Sequence, residues 1–348
     1  MEIPVFKWFD AANQYFVGNL GYVGVVILGG YLTMNGIIAI GDIQSFITYV
    51  RSFNQPISSI AQNMNVLQST AAAAERVFEF LDETEEIPET STPVEVFDEH
   101  GETKIKGQVT FENVHFGYTP EKTIINDFSM YIKPGKKIAI VGPTGAGKTT
   151  IIKLLMRFYE LNSGAIYVDG IKTTDMRRSD LRSLFGMVLQ DAWLFNGTVM
   201  ENLRYGKLDA TDEEVMKAAD AAYVDHFIRT LEHGYDTMIN EESSNISQGQ
   251  KQLLTIARAF LADPKILILD EATSSVDTRT EVLIQKGMEK LMENRTSFVI
   301  AHRLSTIRDA DLILVMKDGD IVEVGNHEDL MKENGFYTQL YNSQFEEE

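Results

Sequence analysis

The chain has 348 residues, 44% apolar and 24% charged, enough for two domains or more with a sizeable core. Its formal charge of −20 argues against non-specific nucleic-acid binding, which needs a basic surface, so no nucleic-acid partner is expected. The chain has no cysteine, which excludes disulfide frameworks, cysteine-held iron–sulfur clusters and thiol catalysis.

From Ala11 to Gly41 no residue is charged, and Leu20 to Met34 is dense in Val, Ile, Leu, Gly and Tyr. A membrane-spanning helix needs about 20 mostly apolar residues, and this run supplies them. The glycines at 18, 21, 24, 29 and 30 suit close helix contact in a membrane better than a soluble helix. A buried core helix is the alternative. Asn35-Gly36 breaks the run, and a second helix is predicted from near Gly41-Asp42 to about Leu81. Ile43, Phe46, Val50, Phe53, Ile57, Ile60, Met64 and Leu67 recur at helical spacing on one side of it. Gln44, Thr48, Arg51, Gln55, Ser59 and Gln62 fall on the other. That polar side should face other helices or a water-filled cavity, because lipid offers polar groups no partner. Forty residues at 1.5 Å each reach roughly 60 Å, about twice the bilayer core. The second helix should therefore cross the membrane and continue into water, returning the chain to the side where it began. Residues 82–106 are acidic and contain Pro88 and Pro93, so they read as a solvated linker.

From residue 107 the pattern changes to strands and helices. Gln108–Phe111 and Ile166–Val168 alternate as exposed sheet, and Lys137–Val141 reads as a buried strand. Next comes Gly142-Pro143-Thr144-Gly145-Ala146-Gly147-Lys148-Thr149, a full G-x-x-x-x-G-K-[ST] match, and a helix opens at Thr150. In such a loop glycines let backbone N–H groups reach phosphate oxygens, the lysine adds a point charge, and the threonine hydroxyl can ligate Mg²⁺. The following helix N-terminus directs its dipole at the phosphate.

Three further apolar runs, Gly186–Leu189, Ile266–Leu269 and Ser297–Ala301, join Ile138–Val141 as predicted strands of a parallel sheet covered on both faces. They end at Gln190, at Asp270-Glu271 and at His302. Ligands of open α/β sheets bind outside the carboxyl ends of the strands, so four such ends converging on one phosphate make a site. Asp270 is placed to hold Mg²⁺, Glu271 to take a proton from an attacking water, and His302 to contact a γ-phosphate. A helix N-cap is the alternative for the Asp-Glu pair. About 120 residues separate Lys148 from Asp270, more than a minimal nucleotide fold requires. Residues from Thr211 to Ala262 carry helical patterning and form an inserted arm. Ahead of its last helix, Ser247, Gly249 and a helix beginning near Gln250 suggest a second N-terminal anion site, which a second copy of the domain could present across an interface.

Together these residues resemble the ATP-binding cassette of an ABC exporter half-transporter. Gly142–Thr149 matches the Walker A loop and Ile266–Glu271 the Walker B strand with its glutamate. Ile246-Ser247-Gln248-Gly249-Gln250 is similar to the LSGGQ signature, with Ile for Leu and Gln for the first Gly. Gln190 matches the Q-loop, Ser274-Ser275-Val276-Asp277 the D-loop, His302 the switch histidine and Tyr118 the aromatic that stacks on adenine. The N-terminal part resembles the last two of six transmembrane helices of such exporters, and the signature helix is similar to bacterial heterodimeric multidrug exporters.

The resemblance implies an α/β phosphate-loop NTPase fold with an inserted helical subdomain, preceded by two transmembrane helices. The domains would be residues 1–81 (membrane), 82–106 (linker) and 107–348 (cassette). It implies ATP and Mg²⁺ as cofactors, with Tyr118, Gly142, Pro143, Thr144, Gly145, Ala146, Gly147, Lys148, Thr149 and Thr150 on one nucleotide and Ser247, Gly249, Gln250 and Asp277 serving the partner's. Thr149, Gln190 and Asp270 would hold the metal; Glu271, His302 and Gln190 would serve catalysis. The implied partner is a second half-transporter, a heterodimer being favoured over a homodimer. The implied setting is a multi-pass plasma-membrane protein in contact with lipid, its cassette cytoplasmic, exporting a hydrophobic or drug-like substrate or a lipid. A soluble ABC ATPase without transport, and a truncated half-transporter inactive on its own, are the alternatives. A phosphate-loop GTPase is disfavoured because no Asn-Lys-x-Asp motif is present.

Overall fold

The computed structural model describes residues 5–99, 101–189, 192–240, 246–270, 277–301 and 304–345. The chain divides into two compact units, Met1–Ile87 and Pro88–Glu348.

The first unit is a helical hairpin of α1 (Val5–Met34) and α2 (Ile40–Leu81). The expected break at Asn35-Gly36 takes a defined form. Gly36, at φ +70°, donates to the Thr33 carbonyl and Ile37 donates to the Leu32 carbonyl, closing α1 with a Schellman turn. The Asp42 carboxylate accepts the Ala39 N–H at 2.8 Å and opens α2. A Cβ added at Gly29 would lie 3.0 Å from Ile43 Cγ1, so the missing side chain is what lets the helices approach there. Ile43, Ile47 and Val50 form the half-covered side of α2, whereas Phe46 and Phe53 are exposed. The apolar stripe is thus split from the single face expected. On the polar side, Thr48 and Ser59 donate to the carbonyls of Gln44 and Gln55, so these hydroxyls have a partner within the helix wherever they face. Pro56 sits inside α2 without ending it, though it can offer no N–H to Ser52. Among the described residues no helix is long and apolar enough to cross a membrane. The uncharged run expected to do so reaches back to Ala11, among residues whose side chains lie outside the described set.

In the second unit the strands are β1 (Val109–Phe116), β2 (Ile125–Ile132), β3 (Lys137–Val141), β4 (Ser163–Val168), β5 (Ile171–Lys172), β6 (Phe185–Val188), β7 (Gly197–Thr198), β8 (Met238–Ile239), β9 (Ile266–Asp270), β10 (Thr296–Ile300), β11 (Leu312–Lys317) and β12 (Asp320–Gly325). The helices are α3 (Lys148–Leu155), α4 (Arg178–Ser183), α5 (Val199–Arg204), α6 (Asp212–Ala221), α7 (Asp225–Thr230), α8 (Gln248–Ala262), α9 (Thr278–Met292), α10 (Leu304–Arg308), α11 (His327–Glu333) and α12 (Phe336–Phe345). The main sheet runs β12-β11-β3-β10-β9-β6, parallel except for β12. Its central strands alternate between two cores, as period-2 side chains must. Ala139, Val141, Leu267, Leu269 and Val299 face a core shared with α8 and the arm. Ile138, Ile140, Ile266, Ile268, Phe298 and Ile300 face a core shared with α3 and the antiparallel sheet β2-β1-β4-β5.

Two expectations are corrected. The stretches Gln108–Phe111 and Ile166–Val168 are not exposed sheet, because Val109, Phe111, Ile166 and Val168 are buried in that second core. Nor are residues 88–106 simply solvated. Val96 and Ile105 are buried, Thr103 donates to the Val96 carbonyl, and Val94 donates to Asp175 O at 2.8 Å. The Glu89 carboxylate accepts the Arg178 N–H at 2.7 Å, and the backbone N–H groups of Lys106 and Gln108 both donate to the Asp169 carboxylate. Charge and prolines marked a connector, but its partners lie 60 to 90 residues downstream and leave no local signal.

Candidate nucleotide site

At the carboxyl end of β3 the chain turns through residues 142–147 into α3. Gly142 has φ +152°, and a Cβ there would lie 2.3 Å from the Met316 carbonyl of neighbouring β11. Gly147, the N-cap of α3 at φ +100°, leaves no room either, its Cβ falling 2.9 Å from Ile125 Cδ1. Both positions need glycine for conformation and for space. Pro143, Thr144 and Gly145 are exposed at the rim, Ala146 and Gly147 are buried, and Thr149 is exposed in the first turn of α3.

Lys148 folds back over the loop, its Nζ donating to the Gly142 carbonyl at 2.6 Å and the Pro143 carbonyl at 3.0 Å. Half-burial pulls its ammonium below the ordinary lysine pKa, and the negative charge of Asp270 opposes that shift. The coupling follows from the sheet. Asp270 ends β9 opposite Ile300 of β10, and Ile300 in turn pairs with Ile140 of β3. Two strand spacings, about 10 Å, therefore separate the phosphate-loop strand from the Asp270 backbone, within reach of a lysine and a carboxylate extended toward each other. The loop's glycine-enforced curvature, the helix N-terminus and the cation fit polyphosphate, and the oxygen donors Thr149 and Asp270 suit a hard cation such as Mg²⁺.

Tyr118 lies past the end of β1 and is 47% exposed. Its hydroxyl is 3.2 Å from Thr150 Oγ1, which ties an open aromatic face to the first turn of α3. Gln190, Glu271, His302 and Ser274–Val276 lie outside the described residues. The strands leading to Gln190, Glu271 and His302, namely β6, β9 and β10, are parallel neighbours ending on the same sheet edge as β3.

The signature segment is a helix cap. Ser247 is the N-cap of α8, its Oγ accepting the Gln250 N–H at 3.3 Å while Gln250 Oε1 accepts the Ser247 N–H at 2.9 Å. The helix begins at Gln248, within two residues of the expected start near Gln250, and Gly249 is buried. Gln250 Oε1 is thereby engaged in the cap. Asp277 likewise caps α9, accepting the Thr280 N–H at 3.0 Å, a bond that holds its carboxyl below the usual aspartate range.

Sequence reasoning missed one half-buried cation in the signature helix. Arg258 of α8 donates to the Trp193 carbonyl, the Asn202 carbonyl and Asn202 Oδ1, each at 2.6 Å. Its guanidinium stacks near Phe195 and Tyr205, and burial lowers its pKa to about 10. Asn202, fully buried, also grips both backbone groups of Phe195. The signature helix is thus pinned to the segment that follows Gln190. The available signal was a lone arginine within the apolar run Leu253–Leu261.

A glycine-built phosphate loop between a parallel strand and a helix, facing an aspartate two strands away, defines a phosphate-loop NTPase. The ABC transporter family pattern matches residues 125–274. The fatty acid ABC transporter ATP-binding/permease proteins of Mycobacterium bovis and Mycobacterium tuberculosis are each 54% identical to the chain over 325 residues, 93% of this chain and 50% of theirs. The ATP-dependent lipid A-core flippase of Desulfotalea psychrophila is 41% identical, covering 99% of this chain and 59% of its own. A solved bacterial Atm1-family ABC exporter with ATP bound is 36% identical with a TM-score of 0.70, over 96% of this chain and 57% of that one. The chain spans between half and three-fifths of these relatives' length. It carries an ABC transporter ATP-binding domain, an ATPase cassette.

Proposed function

We propose that the chain is the ATP-hydrolysing part of an ABC exporter, its cassette working head to tail with that of a second half-transporter, a heterodimer being favoured. The observation that carries the reading is the charge pair Lys148–Asp270, set across β10 at the carboxyl edge of a parallel sheet beside a phosphate loop. Lys148 and the backbone N–H groups of residues 142–150, Pro143 excepted, would hold the β- and γ-phosphates, and Tyr118 would stack on adenine. Thr149 and Asp270, with Gln190, would hold Mg²⁺, which supplies charge neutralisation between the phosphates. Glu271 would accept the proton of the attacking water and His302 would stabilise the γ-phosphate. Ser247, Gly249, Gln250 and Asp277 would meet the partner's nucleotide, with the Gln250 Nε2 group as the donor since its Oε1 is occupied by the cap. Residues 1–81 are read as the end of a membrane domain with α1 and α2 crossing the plasma membrane, 82–106 as linker and 107–348 as cytoplasmic cassette. The uncharged run Ala11–Gly41 and relatives named as permease and flippase support that reading. They also favour a lipid or other hydrophobic molecule, drug-like compounds included, as cargo. Calorimetry tests the site: Lys148→Ala should weaken ATP binding, because the charge acts on ground-state phosphates, and unchanged affinity would reject the assignment. Resistance to carbonate extraction from membranes tests the spans, and release into the soluble fraction would favour a non-transport ATPase.

A further inference from the structure

A stacking platform is only as good as the rigidity of its ring, and Tyr118 is a half-exposed side chain with two free torsions beyond the end of a strand. Three neighbours hold it. Phe116, buried, meets its ring edge-on at 4.9 Å, the Thr150 hydroxyl meets its Oη, and Tyr159 meets it at 5.0 Å with an interplanar angle of 85°. Tyr159 also touches Phe116 at 5.6 Å, so the three rings form a closed triangle. Lys153 Nζ stands 5.9 Å from the Tyr118 centroid and 6.0 Å from that of Tyr159, a cation shared by both rings.

The backbone that delivers Tyr159 is itself fixed. α3 ends in a Schellman turn, Arg157 donating to Leu154 O and Phe158 to Lys153 O, with Arg157 rather than glycine in the left-handed position at φ +52°. That conformation is held because the Arg157 guanidinium is buried on Glu160 at 2.8 Å and reaches the Thr173 and Met176 carbonyls. Three residues after Tyr159, Asn162 Oδ1 accepts the Gly117 N–H at 2.6 Å and Asn162 N–H donates to His115 O at 3.0 Å. The loop carrying Tyr159 and the strand end carrying Tyr118 are thus laced together at Asn162, three residues from the ring contact.

We infer that Tyr159 is a positioning residue of the base subsite, fixing the plane of Tyr118 for an adenine ring through an edge-to-face contact in which its hydroxyl takes no part. This deepens the proposed function and rests on Tyr118 being the adenine platform. The ring pair, not the phosphate cradle, should feel its loss. The experiment is calorimetry on the full chain with Mg-ATP and with Mg-tripolyphosphate, which has the phosphates but no base. Tyr159→Ala should weaken ATP by roughly two- to tenfold, the scale of one aromatic pair, while tripolyphosphate affinity holds. Tyr159→Phe should bind ATP like the parent. Equal losses for both ligands would show general loop damage and overturn the inference, as would undiminished ATP affinity in Tyr159→Ala or failure of Tyr159→Phe to match the parent. Tyr118→Ala separates the two layers: if it leaves ATP affinity intact, the platform reading itself falls, whereas a loss there beside a silent Tyr159→Ala rejects only the role of Tyr159.

Discussion

Arg258→Met removes the charge that pins α8 to the segment after Gln190 while keeping an apolar stem of similar length. The parent guanidinium makes three short bonds, and its loss strips the Trp193 and Asn202 carbonyls of a charged donor. Asn202 Oδ1 keeps its Phe195 N–H, so that atom is not orphaned. Bonds to charged groups contribute about 1.5–3 kcal/mol each, but the ion is desolvated, as its pKa of about 10 records, and that cost is recovered on substitution. The balance is a loss of about 2–4 kcal/mol. At roughly 2–4 °C per kcal/mol for a domain of this size, the cassette transition should fall by about 4–16 °C in scanning calorimetry. Arg258→Lys keeps charge but cannot fork across Asn202, so it should recover less than half. A melting point within a degree of the parent for Arg258→Met would refute the claim that this network holds α8 to the segment carrying Trp193 and Asn202.

Three other outcomes are expected. Glu89→Ala frees residues 88–96 from Arg178, so protease cleavage between residues 88 and 96 should quicken while the melting point shifts little, since an exposed carboxylate contributes about 1 kcal/mol or less; unchanged cleavage would mean that the Glu89 contact does not hold this segment. Asp277 should lend α9 stability only while ionised: its folded pKa is depressed, so the contribution is complete above the unfolded carboxylate value and vanishes as pH falls through the lower folded one. Comparing acid unfolding of Asp277→Asn, which keeps an accepting cap oxygen, with the parent checks this, and identical pH profiles would count against it. In the assembled transporter, cysteines at Gln44 and Gln55 should react with a water-soluble maleimide more readily than one at Ile43, which packs against Gly29; the reverse order would overturn the assigned orientation of α2.

The parallel strands are legible because each has a short apolar stretch, such as Ile138–Val141 or Ile266–Leu269, that both-face burial imposes. β11, Leu312–Lys317, has a similar apolar run but no functional residue at its end to mark it. β2 and β12 mix polar and apolar residues, as strands with a solvated face do, and carried no comparable signal. The phosphate loop was legible to the residue because its conformation forces the glycines. The caps at Ser247 and Asp277 were read for their ligand roles, and their structural duty emerged only with the helix ends in place. Arg258, Tyr159 and Glu89 act through partners tens of residues away, which single-sequence periodicity does not register. Pro56 shows the opposite failure, since a residue that usually ends a helix lies within 42 helical residues.

ATP hydrolysis at the strand-edge constellation is the central claim. The most direct measurement is single-turnover ATP hydrolysis by the chain assembled with the proposed partner half-transporter, parent against Glu271→Gln. Removing a general base typically slows the step by about 10²–10⁴-fold. The predicted result is that Glu271→Gln retains bound ATP with cleavage slowed by that factor; cleavage at the parent rate would contradict the assignment of Glu271 as the base.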